Sequence, residues 1–455
     1  MVEATVRSRV KFHGPRQAKV RVRRGYTKEK YLWELDKECW NFPSPSSSTQ
    51  EEKVMVLESS VEKLVRNLRN GLDRIAPINI INLKTIQEPW RNDHQVKELM
   101  QLERQLWKEW KCDPTSNTKK DRWNSAKNKL KRSYGDTKSR IIKENIAKSL
   151  TNKGRSLWKG VRDTMNWKIG GPPGELRNKT GAIESKPEKM TEIYHDKLEE
   201  KVFNIMRELE EYDESIEEEE AALKTMFGDK RNHDFEFRKI TKEELLKVLK
   251  ALPLKTSHGD DGLAYVDIID SGYYSVDPLL QIINLVIETG HWPSLWKNSI
   301  VKPLFKGTDK WDPGAYRPVS ITNTISRITE RVLNAQLLQF LQEKNIVLEE
   351  CHGFVEGRGC STAVLEILQE LQEGVEEGEV PMILGVDISS AFDCISRNKL
   401  QRQLLWLGLG PTASRLFQTY FKDRTQQVEI GSKRGKKRRN EVGVYKEVGY
   451  LLHCS

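Results

Sequence analysis

The chain has 455 residues, 76 Lys and Arg against 66 Asp and Glu, a net charge of +10 and a pI near 9.1. Hydrophobic residues reach 37% against 31% charged, which is lean for two or three large cores and suits polyanionic partners. Six scattered cysteines without a Cys-x-x-Cys argue against a disulfide framework or a zinc centre. No apolar run approaches the ~20 residues of a membrane span, so the expectation is an intracellular protein, nuclear or cytoplasmic, with no membrane partner.

Residues 1–57 are basic and then Ser/Pro-rich, with Arg21-Val-Arg-Arg24 and a Pro43 to Thr49 linker, and are expected to be mostly disordered. Over 58–168 the pattern predicts a basic helical connector. Val61, Leu64, Val65, Leu68 and Leu72 share one helical face, and Leu99, Leu102, Leu106 and Trp110 another. From Lys119 to Lys159, Lys and Arg are interleaved with Trp123, Tyr134 and Trp158. That mixture suits phosphate neutralisation with base stacking, and it equally suits a solvated helix whose tryptophans pack inward.

Residues 169–235 read as a linker, broken at Gly170-Gly-Pro-Pro-Gly174 and acidic from Glu208 to Glu220. The last region, 236–455, opens with Thr241 and Glu244 at capping-box spacing, which predicts a helix from about residue 242 carrying Leu245, Leu249 and Leu252. Met382 to Val386 predicts a strand buried on both faces, with Asp387 projecting from its end into a cleft. Leu400, Leu404 and Leu407 predict a further helix. The fold class expected is α+β.

Several segments in order carry a resemblance. They are the Lys255 to Leu263 turn, Trp292-Pro-x-x-Trp296-Lys297, Ile300-Val-Lys302-Pro-Leu-Phe-Lys306-Gly, Tyr316-Arg317-Pro318-Val-Ser320, Gly353-Phe354-Val-Glu-Gly357-Arg358 and Gly385-Val-Asp387. Together, over about residues 236–444, they resemble a reverse transcriptase of the non-LTR (LINE-type) retrotransposon family. The resemblance implies right-hand polymerase fingers and part of a palm, acting as an RNA-directed DNA polymerase on an RNA template, a DNA primer and deoxynucleotides.

In such an enzyme two Mg²⁺ ions about 3.5–4 Å apart activate the primer oxygen and stabilise the leaving pyrophosphate. The resemblance makes Asp387 the catalytic metal ligand. Arg317 is implied as the arginine that binds the triphosphate, with Lys302 or Lys306 as its companion. The amides of Ile388 to Ala391 are implied to meet the triphosphate, and Phe392 to exclude a ribose 2′-hydroxyl. Arg358 corresponds to a template-side position. Gly259-Asp260-Asp261 looks like a metal triplet but precedes Asp387, so its order rejects it, and Asp393 is expected to be structural.

The 62 residues after Asp393 hold neither the family's Gln-Gly-Ser or Gln-Gly-Gly loop nor its aromatic-x-Asp-Asp hairpin. The expectation is therefore a truncated, inactive enzyme lacking also the endonuclease. Codons for Tyr445-Lys446-Glu447-Val448 can encode Gln-Gly-Ser in another frame, which suggests a frameshift. The alternative expectation is a non-catalytic RNA- or DNA-binding remnant, and a third is a helical scaffold.

Overall fold

The computed structural model describes residues 17–45, 49–82, 93–150, 172–210, 216–232, 234–254, 257–307, 309–344, 346, 351–353, 357–386, 392, 395–440 and 443. The chain divides into two compact units. One comprises Met1–Ile81 with Pro172–Ser455, and the other Asn82–Gly171.

The first unit begins with β1 (Gln17–Arg21), α1 (Lys28–Leu35), α2 (Gln50–Ile75) and β2 (Ile78–Asn82), with β1 and β2 paired. Thr27 caps α1 by accepting from the Lys30 N–H. The expected disorder of 1–57 does not hold over the described part. Tyr31 and Leu35 are fully buried in the main core, and Lys63 and Asn67 hydrogen-bond the carbonyls of Asn41 and Cys39. The physical reason is the α2 stripe. Leu57, Val61, Leu64, Leu68 and Leu72 are buried along one face, and two aromatic or apolar residues of α1 cover part of it.

The second unit is an antiparallel-by-sequence pair of helices, α3 (His94–Cys112) and α4 (Asn117–Leu150). Asp93 caps α3. The seam differs from the expected stripe by one place. Leu99, Leu106 and Trp110 are half-buried and Val96 is buried, but Leu102 is exposed and Glu103 turns inward to accept from the Trp123 indole N–H at 2.8 Å.

Returning to the first unit, β3 (Leu176–Arg177) and β4 (Ile183–Glu184) form a hairpin before α5 (Pro187–Glu210) and α6 (Ile216–Phe227). The stretch read as a linker is thus largely helical over its described residues. The acidic run supplies structure there, since Glu219 is buried and binds Arg402 through Nε at 2.9 Å.

Helix α7 (Lys242–Lys250) starts where the capping box requires, with Thr241 accepting from the Glu244 N–H and Glu244 accepting from the Thr241 N–H. Next come α8 (Tyr265–Ser271), α9 (Tyr273–Thr289), β5 (Asn298–Phe305), β6 (Tyr316–Ile321) and α10 (Thr324–Glu343). The chain continues through α11 (Cys360–Glu376), α12 (Arg397–Trp406), α13 (Pro411–Phe421), β7 (Thr425–Ile430), β8 (Lys433–Arg434) and β9 (Arg438–Arg439). Helices and a mixed sheet together make an α+β architecture.

The sheet runs β6-β5-β7-β8, with β9 also on β7; β5 is antiparallel to β6 and parallel to β7. One face closes on α5 and β3 through Leu176, Met190, Tyr194, Val301, Tyr316, Val428 and Ile430. The larger core joins α1, α2, α7 to α10, α12 and α13, and buries Trp292 and Trp296 edge to face at 5.0 Å. The tryptophans of the segment leading to β5 are therefore structural anchors. Leu400, Leu404 and Leu407 are buried as their spacing requires.

The strand expected at Met382 to Val386 is not there. These residues are described outside any strand, with Met382 91% and Val386 82% exposed, and no described strand pairs with them. Apolar periodicity marks a segment able to enter a sheet, but a strand forms only where neighbours take its N–H and C=O groups. Helix α11, just upstream, likewise leaves Val364, Leu365, Ile367 and Leu368 exposed.

Candidate functional site

The site grows from the β5–β6 hairpin. Its register places Lys302 opposite Val319, Pro303 opposite Pro318 and Leu304 opposite Arg317. Neither proline has an N–H, so the proline pair occupies a non-hydrogen-bonded position and its flanking pairs take the ladder bonds. Pro303 also lies beyond the reach of β7, whose pairing ends at Val301 with Val428, so β5 tolerates it.

Alternation then sorts the side chains. Val301 and Phe305 turn to the small core, while Asn298, Ile300, Lys302 and Leu304 take the other face with Arg317 of β6, Glu429 of β7 and Arg434 of β8. Lys306 continues the parity of Lys302 one place beyond β5, where its N–H donates to the Ala315 carbonyl. Arg317 and Lys306 are exposed, whereas Lys302 is half-buried.

Lys302 is held. Its Nζ lies 3.0 Å from Glu429 Oε1, and Glu429 accepts from Arg434 Nε at 2.7 Å. Burial raises the Glu429 carboxyl, but Lys302 and Arg434 outweigh it and keep it below the ordinary range. Arg434 also donates to Asp260 at 2.5 Å, and Asn298 donates to the other Asp260 oxygen at 2.7 Å. His258 sits beside this group. Burial, together with Lys302 and Arg21, depresses its imidazole despite the hydrogen bond with the Gly259 carbonyl.

The neighbouring Asp261 is buried, 4% exposed, and caps α10, accepting from the Thr324 N–H at 2.6 Å and from the Leu263 N–H at 3.3 Å. Burial pushes its carboxyl up to about 7. A Cβ on Gly259 would stand 2.3 Å from the Thr322 carbonyl oxygen, so only glycine permits this approach. The acidic turn is thus a clamp between the start of α10, β5 and β8. Both its carboxylates accept from protein donors.

Arg358 lies in the loop before α11 and donates to the Cys351 carbonyl at 3.2 Å. His352 of that loop bonds Thr362 at 2.8 Å and also Glu366. Phe392 is described as half-buried. Asp387, Ile388 and Ala391 lie outside the described residues, as do Phe354, Asp393, Trp158 and residues 444–455. Among the described residues no group of three or more His, Cys, Asp or Glu could hold a metal ion, and no helix is long and apolar enough to cross a membrane.

The structure therefore gathers Lys302, Lys306 and Arg317 on one face, and leaves Arg358 in a separate loop. Sequence reading missed Asn298, Glu429 and Arg434, which organise that face. The available signal was the strand Thr425 to Ile430 closing at Gly431, whose odd positions Thr425, Gln427 and Glu429 are polar.

Residues 305–444 match the family described as reverse transcriptase (RNA-dependent DNA polymerase). Over 312 residues the chain is 22% identical to the probable RNA-directed DNA polymerase from transposon BS of Drosophila melanogaster, covering 68% of this chain and 33% of that protein. It is 25% identical over 247 residues to the RNA-directed DNA polymerase from mobile element jockey of the same fly, covering 52% of this chain and 25% of the other. To the Pol polyprotein from the type-1 retrotransposable element R2 of Popillia japonica it is 22% identical over 195 residues, or 43% and 26% of the two chains. The matches span about a third or less of these relatives' lengths.

Proposed function

We propose that this chain, which carries a reverse transcriptase domain related to those of non-LTR retrotransposons, uses its β5–β6 hairpin as the fingers element that binds a deoxynucleoside triphosphate. The observation that carries the reading is the register of that hairpin, which sets Arg317 and Lys306 on the face of Lys302. A guanidinium on an extended strand can meet phosphate oxygens in bidentate fashion, and a nearby ammonium adds a point charge.

Lys306 is the companion of Arg317 in this reading. Lys302 is committed to Glu429 at 3.0 Å, and recruiting it would take one of two cations, the other being Arg434, from a largely buried carboxylate. Lys302 instead sets the hairpin against β7. Phe392 is assigned to exclude a ribose 2′-hydroxyl, Ile388 to Ala391 to supply amides to the triphosphate, and Arg358 to approach the template. These assignments rest on the resemblance.

The Mg²⁺ ions of the family's chemistry supply charge neutralisation at the reacting phosphate, and Asp387 is the residue of this chain assigned to hold one. The acidic turn is a poor candidate for that role, because Asp260 and Asp261 are already engaged by Arg434, Asn298 and backbone N–H groups. The described elements are proposed to bind nucleotide and nucleic acid.

Equilibrium binding of a fluorescent deoxyadenosine triphosphate tests the assignment. Arg317→Ala and Lys306→Ala should each weaken binding about tenfold or more, the scale of one charge-assisted contact, and Lys302→Ala should weaken it less. Equal losses at all three positions would reject the choice of Lys306, and no loss at Arg317 would reject the site.

A further inference from the structure

We propose that the α3–α4 hairpin is a nucleic-acid docking surface that grips the sugar-phosphate backbone through α4, with its seam tryptophans reserved for folding. This inference rests on the hairpin itself and does not depend on the polymerase reading.

Charge is the first observation. The 34 residues of α4 hold eleven Lys and Arg against three Asp and Glu, which is eight of the chain's ten net positive charges. The rest of the protein is close to neutral. At 1.5 Å per residue α4 extends about 50 Å, a length over which a duplex presents a negative charge every ~1.7 Å. An acidic protein partner would need a matched stripe of carboxylates just as long.

Placement is the second. Trp123, Ala126, Leu130 and Thr137 fall on one stripe of α4 and are buried or half-buried. Lys120 and Lys131 lie exposed on one flank of that stripe and Arg122 and Lys129 on the other, with Arg132 and Lys143 exposed toward the back of the helix. Two basic ridges therefore border one packed seam.

The tryptophans separate backbone binding from base reading. Trp110 and Trp123 stack on each other at 5.0 Å with planes 4° apart, Trp123 donates to Glu103, and Lys127 lies 4.9 Å from the centre of its ring. Each ring covers one face of the other, and Lys127 lies over Trp123. The exposed Trp107 has Lys111 at 4.7 Å from its ring. Stacking platforms for single strands need an open aromatic face, and among the described residues of the seam the tryptophans are engaged with each other, so recognition is assigned to phosphate and is tolerant of sequence.

The full chain should be tested by fluorescence anisotropy with a short labelled RNA of mixed sequence, single-stranded and as a duplex, across roughly 50–200 mM salt. A variant combining Lys120→Gln, Arg122→Gln, Lys129→Gln and Lys131→Gln should bind weakly. Its log-log salt slope should be shallower by about 3, at ~0.7–0.9 per lost phosphate contact. A control with the same net charge, combining Lys28→Gln, Lys179→Gln, Lys230→Gln and Lys250→Gln at exposed positions of the other unit, should keep the original slope. Exchanging Lys120, Lys129 and Lys131 to Arg with Arg122→Lys preserves the charges and should bind like the wild type, which covers any folding defect in the Gln variant. Equal weakening by the control, an unchanged slope, failure of the charge-preserving variant to bind, or binding to phosphatidylserine vesicles without binding to RNA would each overturn the proposal.

Discussion

Arg434 donates to the carboxylate of Asp260 across 174 positions of chain at 2.5 Å, and to Glu429 on the adjoining strand at 2.7 Å. Through this guanidinium, together with the Asn298 amide, the turn before α8 is fastened to the sheet that carries Lys302 and Arg317. Charge-assisted bonds in a half-buried setting contribute more than exposed ion pairs.

Asp260→Ala should lower stability by about 1.5–3 kcal/mol, since it leaves Arg434 and Asn298 short of an acceptor. Asp260→Asn, which keeps one acceptor oxygen, should lose less. Urea midpoints of the two variants measure the difference, and an Asp260→Ala protein as stable as the wild type would show that the fastening is idle.

Asp261 gives a pH dependence with a definite sign. Its folded value of about 7 lies above an unfolded carboxyl near 4. The neutral form is favoured in the fold, so the contribution is fully present below pH ~4 and is lost as pH rises through ~7. Asp261→Asn mimics that neutral form and should flatten the decline. Urea unfolding of both proteins at several pH values in this window should show the wild type losing stability relative to the variant as pH rises. Parallel curves would contradict the assignment.

Two glycine-to-alanine changes should move stability in opposite directions. Gly259→Ala places a Cβ 2.3 Å from the Thr322 carbonyl oxygen and should cost about 1–3 kcal/mol or more. Gly135→Ala, in α4 with nothing within 4 Å of the added methyl, should stabilise by roughly 0.5–1 kcal/mol through helix propensity. Thermal melts of the two variants check both signs.

Residues 236–455 expressed alone should aggregate. Their core is shared with Tyr31, Leu35 and the α2 stripe from Leu57 to Leu72, and removing these exposes a large apolar surface. Met382 to Val386 adds a bare apolar segment of high strand propensity. Light scattering and a melt of the purified fragment decide the matter. A monodisperse fragment with a cooperative transition would contradict the shared core.

Legibility in the sequence followed the range of the interactions. The α2 stripe and the Thr241–Glu244 capping box depend on neighbours three or four residues away, and both stand as expected. The strand at Met382 to Val386 depends on partners far along the chain, which its own apolar pattern cannot supply, and it is absent. The disorder expected over residues 1–57 does not hold at 17–45, because polar composition hides Tyr31 and Leu35, whose burial needs α2. At the site, family-like spacing marked Lys302, Lys306 and Arg317, but Lys302 could be separated from Lys306 only once Glu429, 127 residues later, closed on it. Arg434 and Asp260 met through the sheet register, which no local motif encodes.

Hydrogen–deuterium exchange of the full chain, bound to an RNA template and DNA primer and then supplied with deoxyadenosine triphosphate opposite a templating base, reads the nucleotide site itself. Added nucleotide should slow exchange within the hairpin from Asn298 to Ile321, and Arg317→Ala should abolish that protection while leaving the protection due to nucleic acid intact. Unchanged exchange in the hairpin on nucleotide addition, with protection arising elsewhere, would contradict a triphosphate site on this face.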